Sequence, residues 1–269
     1  MPIKNIDSFD EFYCMSSHDS DMAFTVREIY KTHGDKVCID RKSIHTFGEN
    51  PAVANTESPI NPWGKAETYQ GSNIILNLCS SDNADTSTVT IEYMSFDFSG
   101  NFVFGTQTKT LTGQTPVTLS DTGCRWMRMY TDDDHAGDIW LYRDGASNGV
   151  PSDLTKVHNM ILAGTSQSQK ASTSVAKSNY MVLTQIWGDI IRKTGTNSSL
   201  NIKTRVIGGA FRNILRRGIS DSNSLEYEGV PGIIIEPNTD IEITAQTDSM
   251  SATDMVVGYK GYFADIISS

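Results

Sequence analysis

The sequence predicts an all-β fold built of antiparallel sandwiches. Three observations carry this. From about residue 68 onward, short apolar stretches recur at intervals of about 8 to 12 residues with turn residues between them, the spacing of a sandwich or barrel. The stretch GIIIEPNTDIEITAQTD (232–248) joins a short apolar run, a Pro-Asn turn and a strict apolar/polar alternation, and so reads as two strands around a turn. The 269 residues suit one large β unit or two smaller domains, with enough core to fold without staples.

Taken in order, residues 1–65 stand apart as an N-terminal arm or attachment segment. SDMAFTVREIYKTHG (20–34) has an N-cap in Ser20 or Asp21, a Gly34 C-cap and apolar residues between them, which predicts one short helix. FGENPAVANTESPINPWG (47–64) holds three of the eight prolines and little period-2 pattern, so it reads as an extended arm or long linking loop. A first β-sandwich is expected over residues 66–150. In TVTIEYMSFDF, Val89, Ile91 and Tyr93 share one face and Met94, Phe96 and Phe98 take the other parity. That slip predicts a bulge near Tyr93 or a strand buried on both faces. TKTLTGQTPVTL gives two short strands around a glycine turn, and CRWMRMYT and DIWLYRD are strands on either side of DDDHAG. The turn-rich GASNGVPSDLTKVHNM marks the boundary, and a second sandwich is expected over residues 151–269. There, Leu200, Ile202, Thr204 and Val206 share a face. Ile241, Ile243 and Ala245 face inward while Glu242, Thr244 and Gln246 face out.

Charge excludes one class of function. The chain carries 22 Lys and Arg against 32 Asp and Glu, a net −10. A nucleic-acid-wrapping protein needs basic residues to neutralise phosphates. The densest basic group, Arg212, Arg216 and Arg217, is explained by a solvated strand edge or loop, so no nucleic-acid partner is expected. No apolar run is long enough to span a membrane and the N-terminus has no apolar signal region, so a cytosolic origin and no membrane partner are expected. Cys14, Cys38, Cys79 and Cys124 are widely spaced with no CxxC pair, which suits buried free thiols.

The most chemical-looking stretch is TDDDHAGD. Asp132, Asp133, Asp134 and Asp138 could offer oxygen ligands to Ca²⁺, but the spacing is not that of an EF-hand, and an acidic hairpin loop is the simpler account. None of His18, His33, His45, His135 and His158 pairs at metal-ligand spacing, and no GxSxG elbow exists. Glu92 and Asp97 lie in a strand pattern that yields such carboxylate pairs by chance. No catalytic residue and no cofactor are therefore predicted. Trp126, Trp140 and Trp187 are expected in the core; Trp63, with Phe47, is expected to anchor the arm on a neighbouring subunit.

The sequence resembles a group of structural proteins of tailed, often marine, bacteriophages. The likeness runs from about residue 45 to 269. It rests on the order of several motifs: the lead-in through Phe47, Gly48, Asn50, Val53, Glu57 and Trp63; Ser80, Ser81 and Asp85 before Val89 and Ile91; Thr110–Leu119; an arginine at Arg125 or Arg128; Ile161, Ala163, Gly164, Gln167 and Ser168; and the closing PNTDIEITAQTD…GYKGYFADI. Ala176 stands where the group has a proline, and the glycine-rich spacing after the first Ser-Ser is missing. The resemblance implies a virion component, made in the host bacterial cytoplasm, with two jelly-roll-like antiparallel β-sandwich domains and a homotrimeric assembly. It implies a non-enzymatic capsid decoration, cement or head-spike protein, bound to the major capsid protein or other virion proteins. A tail-associated carbohydrate- or receptor-binding module is the alternative.

Overall fold

The computed structural model describes Ile29, Thr32 and residues 37–191, 197–220, 225–248 and 252–266. The helix predicted over 20–34 lies outside the described residues apart from Ile29 and Thr32; Ile29 is buried against Tyr180 and Ala264. Among the described residues no helix is long and apolar enough to cross a membrane.

The strands in chain order are β1 (Val37–Val53), β2 (Ser58–Pro59), β3 (Asn77–Ser80), β4 (Thr88–Phe96), β5 (Phe102–Thr110) and β6 (Val117–Thr118). Next come β7 (Arg125–Thr131), β8 (Ile139–Tyr142), β9 (Ala146–Ser147), β10 (Val150–Pro151), β11 (Val157–Ile161) and β12 (Thr173–Val175). The chain closes with β13 (Asn179–Ile190), β14 (Asn197–Val206), β15 (Arg212–Ser220), β16 (Leu225–Ile235), β17 (Thr239–Thr247) and β18 (Thr253–Ile266).

Two sheets, β1-β18-β13-β16 and β12-β17-β14-β15, face each other. They enclose a core that includes Val53, Met181, Leu183, Leu200, Ile202, Ile241, Ile243 and Val257. Numbered by order along the chain, these eight strands run 1-8-3-6 in one sheet and 2-7-4-5 in the other. That is the winding of a jelly roll, eight strands in two Greek keys. Its first strand, β1, ends at Val53 and its second, β12, begins at Thr173, so the whole first sandwich is inserted in the connection between them. The inserted sandwich pairs β11-β8-β3-β6 with β5-β4-β7 over a second core of Leu76, Leu78, Val89, Ile91, Trp126, Met129, Ile139 and Leu141.

Two sequence expectations are corrected by this pairing. From residue 37 onward the arm is not detached. β1 pairs with β18 along its length, and β2 pairs with β17. Pro51 had argued against a strand. It sits in a bulge between Asn50 and Val53 of an edge strand, where a missing N–H breaks no essential ladder bond. Asn50 completes the local bonding, giving Nδ2 to the Pro59 carbonyl at 2.7 Å and accepting from Ala52 N at 2.9 Å. Gly48 in the same strand lets another backbone pass: a Cβ there would lie 2.6 Å from Ala171 N. The boundary near residue 150 also moves. β11 lies beyond it yet pairs with β8 in the first sandwich.

The patterned strands follow their sequence. β4 slips register against β7 between Glu92 and Tyr93, where the parity change predicted a bulge. Val89, Ile91 and Tyr93 are buried, as are Ile241, Ile243 and Ala245. The opposite face of β17 departs from alternation: Thr244 is buried and Glu242 partly so, with the Glu57 carboxylate bonded to Thr244 on that face. Thr244 and Asn201 both donate to the Glu57 carboxylate.

Candidate functional site

The described ionisable groups converge most densely where the inserted sandwich meets the jelly roll. Arg125 opens β7 and Asp240 lies near the start of β17. The guanidinium grips the carboxylate as a fork, Nε to Oδ1 at 2.7 Å and Nη2 to Oδ2 at 3.0 Å. Arg205 of β14 donates to the same carboxylate from Nε at 2.9 Å, and Ser174 of β12 donates from Oγ at 2.7 Å. Asp240 is fully buried and Arg125 nearly so. Arg125 Nη1 also donates to the carbonyls of Gln70 and Cys124 at 2.8 and 2.6 Å. Burial alone would lower the Arg125 pKa; the hydrogen bonds and field of Asp240 outweigh it and hold the guanidinium still more firmly charged.

Aromatic faces complete the joint. The Tyr69 ring lies 4.9 Å from the Arg125 guanidinium and 4.1 Å from that of Arg205, and Phe211 covers Arg205 at 4.5 Å. Burial, then the neighbouring carboxylates, push the Tyr69 phenol well above its usual value. A second buried pair lies alongside. Lys170 Nζ meets Glu67 Oε1 at 2.5 Å and donates to the Trp126 carbonyl at 2.7 Å, while Ser172 Oγ holds Glu67 Oε2 at 2.6 Å. His158, packed 4.6 Å from the Trp126 ring, is pushed down to about 3 by burial and by Lys170, so it is neutral.

This arrangement welds; it does not receive. The space bounded by Glu67, Tyr69, Arg125, Trp126 and Lys170 has no room for a water molecule. Every charge at the joint is matched by an opposite charge or a hydrogen bond, which buried ions require. Glu242 is the exception in sign. Burial, and the repulsion of Glu67, raise it to about 7. The folded chain therefore holds a proton on Glu242 that the unfolded chain releases above its ordinary pKa. Taken alone, Glu242 lowers stability as pH rises from about 4.5 to 7, by about 3 kcal/mol in all. E242Q is expected to lose this contribution and to be the more stable protein above pH 7 in denaturant melts. An E242Q protein no more stable than the parent above pH 7 would remove Glu242 from this role.

The acidic stretch has a different organiser. Asp132, Asp133 and Asp134 are exposed, whereas His135 is buried. His135 sets its two ring nitrogens 2.7 Å from the Gly137 carbonyl and 2.6 Å from that of Thr165. Asp85 accepts from Ala136 N and Gly137 N at 2.9 and 3.0 Å and from Ser80 Oγ at 2.5 Å. Those bonds, against some desolvation, hold its carboxyl below the usual range. Asp138 accepts from Ala163 N, and its own N donates to Ser81 Oγ at 2.8 Å. The Ser80, Ser81 and Asp85 motif and the TDDDHAGD loop are thus one knot. Gly149, at φ +70°, closes it: a Cβ there would lie 1.9 Å from the Ser80 carbonyl oxygen. Among the described residues no group of three or more His, Cys, Asp or Glu side chains is placed to hold a metal ion.

The other singled-out residues scatter. Trp63 is 6% exposed and packs inside this chain with Cys79, Trp140, Tyr142 and Met160. An anchor on a neighbouring subunit needs an exposed ring, and this ring is spent internally. Phe47 is half-buried and lines, with Met127, Arg128 and Ser168, a crevice of about 10 Å³. Glu92 pairs with Arg128 and Asp97 with Lys177, so each carboxylate is engaged by its own cation. Trp187 is not core but lies over Gly258 beside His45. Cys79 and Cys124 are free and buried; burial raises both thiols, Cys124 to about 12. Cys14, His18 and His33 lie outside the described residues, as does the side chain of Cys38. Sequence reading missed the joint itself. Its signal was the pair of arginines, Arg125 and Arg128, in the largely apolar strand CRWMRMYT, of which Arg125 is the buried one.

Fold and site together define an all-β chain, a jelly roll with a second sandwich locked into it by buried ions. No protein-family model matches the chain, and no curated protein matches it significantly. Among solved structures it is similar to the Yersinia pseudotuberculosis-derived mitogen at 12% identity and a TM-score of 0.21, over 37% of this chain and 86% of the mitogen. It is similar to infectious bursal disease virus, Gt strain, at 9% identity and a TM-score of 0.20, over 87% of this chain and 79% of that one. The infectious bursal virus derived T=1 particle gives 9% identity and a TM-score of 0.21, over 87% and 76% of the two chains. Likenesses at these scores carry no argument about what this chain does.

Proposed function

We propose that this chain is a non-enzymatic structural protein of a bacteriophage virion. Within that class we favour a capsid decoration, cement or head-spike protein that assembles with itself and binds the major capsid protein. The observation that carries this is the strand order. All eight strands of the jelly roll follow a winding that viral capsid domains use. The ordered motifs shared with tailed-phage structural proteins point the same way. The joint adds a physical reason. A module that stands on a lattice must transmit load without flexing between its parts, and two sandwiches tied by matched buried charges form such a body.

The test is immunogold electron microscopy of particles produced by the phage that encodes the chain, with antibody raised against the purified full chain. Gold on the head is expected. Gold on the tail would replace the decoration role by the tail-associated, carbohydrate- or receptor-binding alternative. Particles that carry no gold and no peptide of this chain by mass spectrometry would overturn the virion role altogether.

A further inference from the structure

One side of the jelly roll is formed by two edge strands. β15 ends one of its sheets and β16 ends the other, so among the described residues two strands present unpaired backbone edges there. Their chemistry is opposite. β15 reads RNILRRGIS, three arginines and no acid, with Arg212 and Arg216 exposed. β16 reads LEYEGVPGIII, two glutamates and no base, with Glu226 exposed and taking a hydrogen bond from Gln185. Beside these edges a groove of about 400 Å³ opens between Val206, Arg212, Ile214, Ile234 and Glu236. Two of its apolar side chains face solvent, Val206 at 52% and Ile214 at 38% exposure. Val206 continues the inward face of Leu200 and Ile202, yet among the described residues it is left half exposed.

We propose that this side docks a second copy of the chain, β15 of one copy against β16 of the next. Three arguments select that occupant. Two β15 edges brought together would set arginines against arginines, which destabilises a strand pair. β15 against β16 sets arginines against glutamates, extends the backbone ladder and covers Val206 and Ile214. Finally, copies with a net charge of −10 repel one another at large, so association needs a local surface of opposite sign. The arginine edge supplies it. The contact deepens the self-assembly part of the function proposed above and rests on that part alone; gold labelling reports on the particle and cannot stand in for it.

Light scattering of the full chain and two charge-reversed variants, R212E/R216E and E226R/E228R, tests the contact in solution. The parent is expected to exceed its monomer mass of 29.6 kDa and to shift toward monomer in high salt. Each variant alone should associate at least about tenfold more weakly, the equivalent of one opposed charge pair turned repulsive. Mixed one to one, the two variants should assemble again, since the swapped edges then match. Far-ultraviolet circular dichroism checks that both fold. A parent that is monomeric at every concentration, a mass unmoved by either reversal, or a mixture that stays monomeric would each overturn the proposal. Binding of an acetylated, amidated (Val-Glu)₄ peptide by a monomeric parent would overturn it in favour of a foreign acidic strand.

Discussion

Replacing Asp240 by Asn should destabilise the protein by about 3 to 5 kcal/mol, the usual cost of breaking a buried ion pair on one side. D240N keeps the shape but removes the charge that Arg125 and Arg205 share. Arg125 is 5% exposed and has no water to turn to. The amide nitrogen also faces guanidinium donors where an acceptor stood. R125M/D240N should recover a large part of the loss, because the stranded charge goes with the arginine and Arg205, one-fifth exposed, turns outward. Denaturant melts of both variants decide the matter. A D240N protein within about 1 kcal/mol of the parent would mean that the joint contributes no more than a surface ion pair.

The second large effect is an acid limb set by His158. Its pKa is depressed to about 3 by burial and by the charge of Lys170, with smaller contributions from Arg143, Arg125 and Lys156. The unfolded chain binds a proton near pH 6.5; the folded chain refuses it until about pH 3. Stability is therefore complete above pH 6.5 and is lost as pH falls toward 3. By pH 4 the loss is about 3 kcal/mol. H158F keeps an aromatic ring against Trp126 and should lose this limb: similar to the parent at pH 7, more stable at pH 4. Across pH 4.5 to 6.5 Glu242 acts in the opposite sense, so the parent curve should be nearly flat there while each single variant slopes. Melts at pH 4, 5.5 and 7 separate the two groups. An E242Q curve that is unchanged between pH 7 and 4 would sink the assignment to His158.

Local pattern and tertiary structure divide the molecule between them. The sequence by itself determined the strand content, because a half-buried strand writes its two faces as alternating residues. Ile241, Ile243 and Ala245 could be assigned inward without a partner strand, and the parity change at Tyr93 located a bulge. It also anticipated the free, buried thiols of Cys79 and Cys124 and a solvated strand edge or loop for the arginine cluster, which lies on edge strand β15. It could not reveal β1. That strand holds Pro51 in a bulge and carries no alternation, so its identity depends on β18, some two hundred residues later in the chain. Nor could it reveal that one sandwich interrupts the other, since strand order in a sheet is a property of pairing and not of any strand. The joint was hidden for the same reason. Arg125 and Asp240 are 115 residues apart, and each alone is one more charge in an acidic chain. Only the closed jelly roll brings them within 2.7 Å, excludes water from between them, and so turns two ordinary side chains into the bond that holds the two halves together.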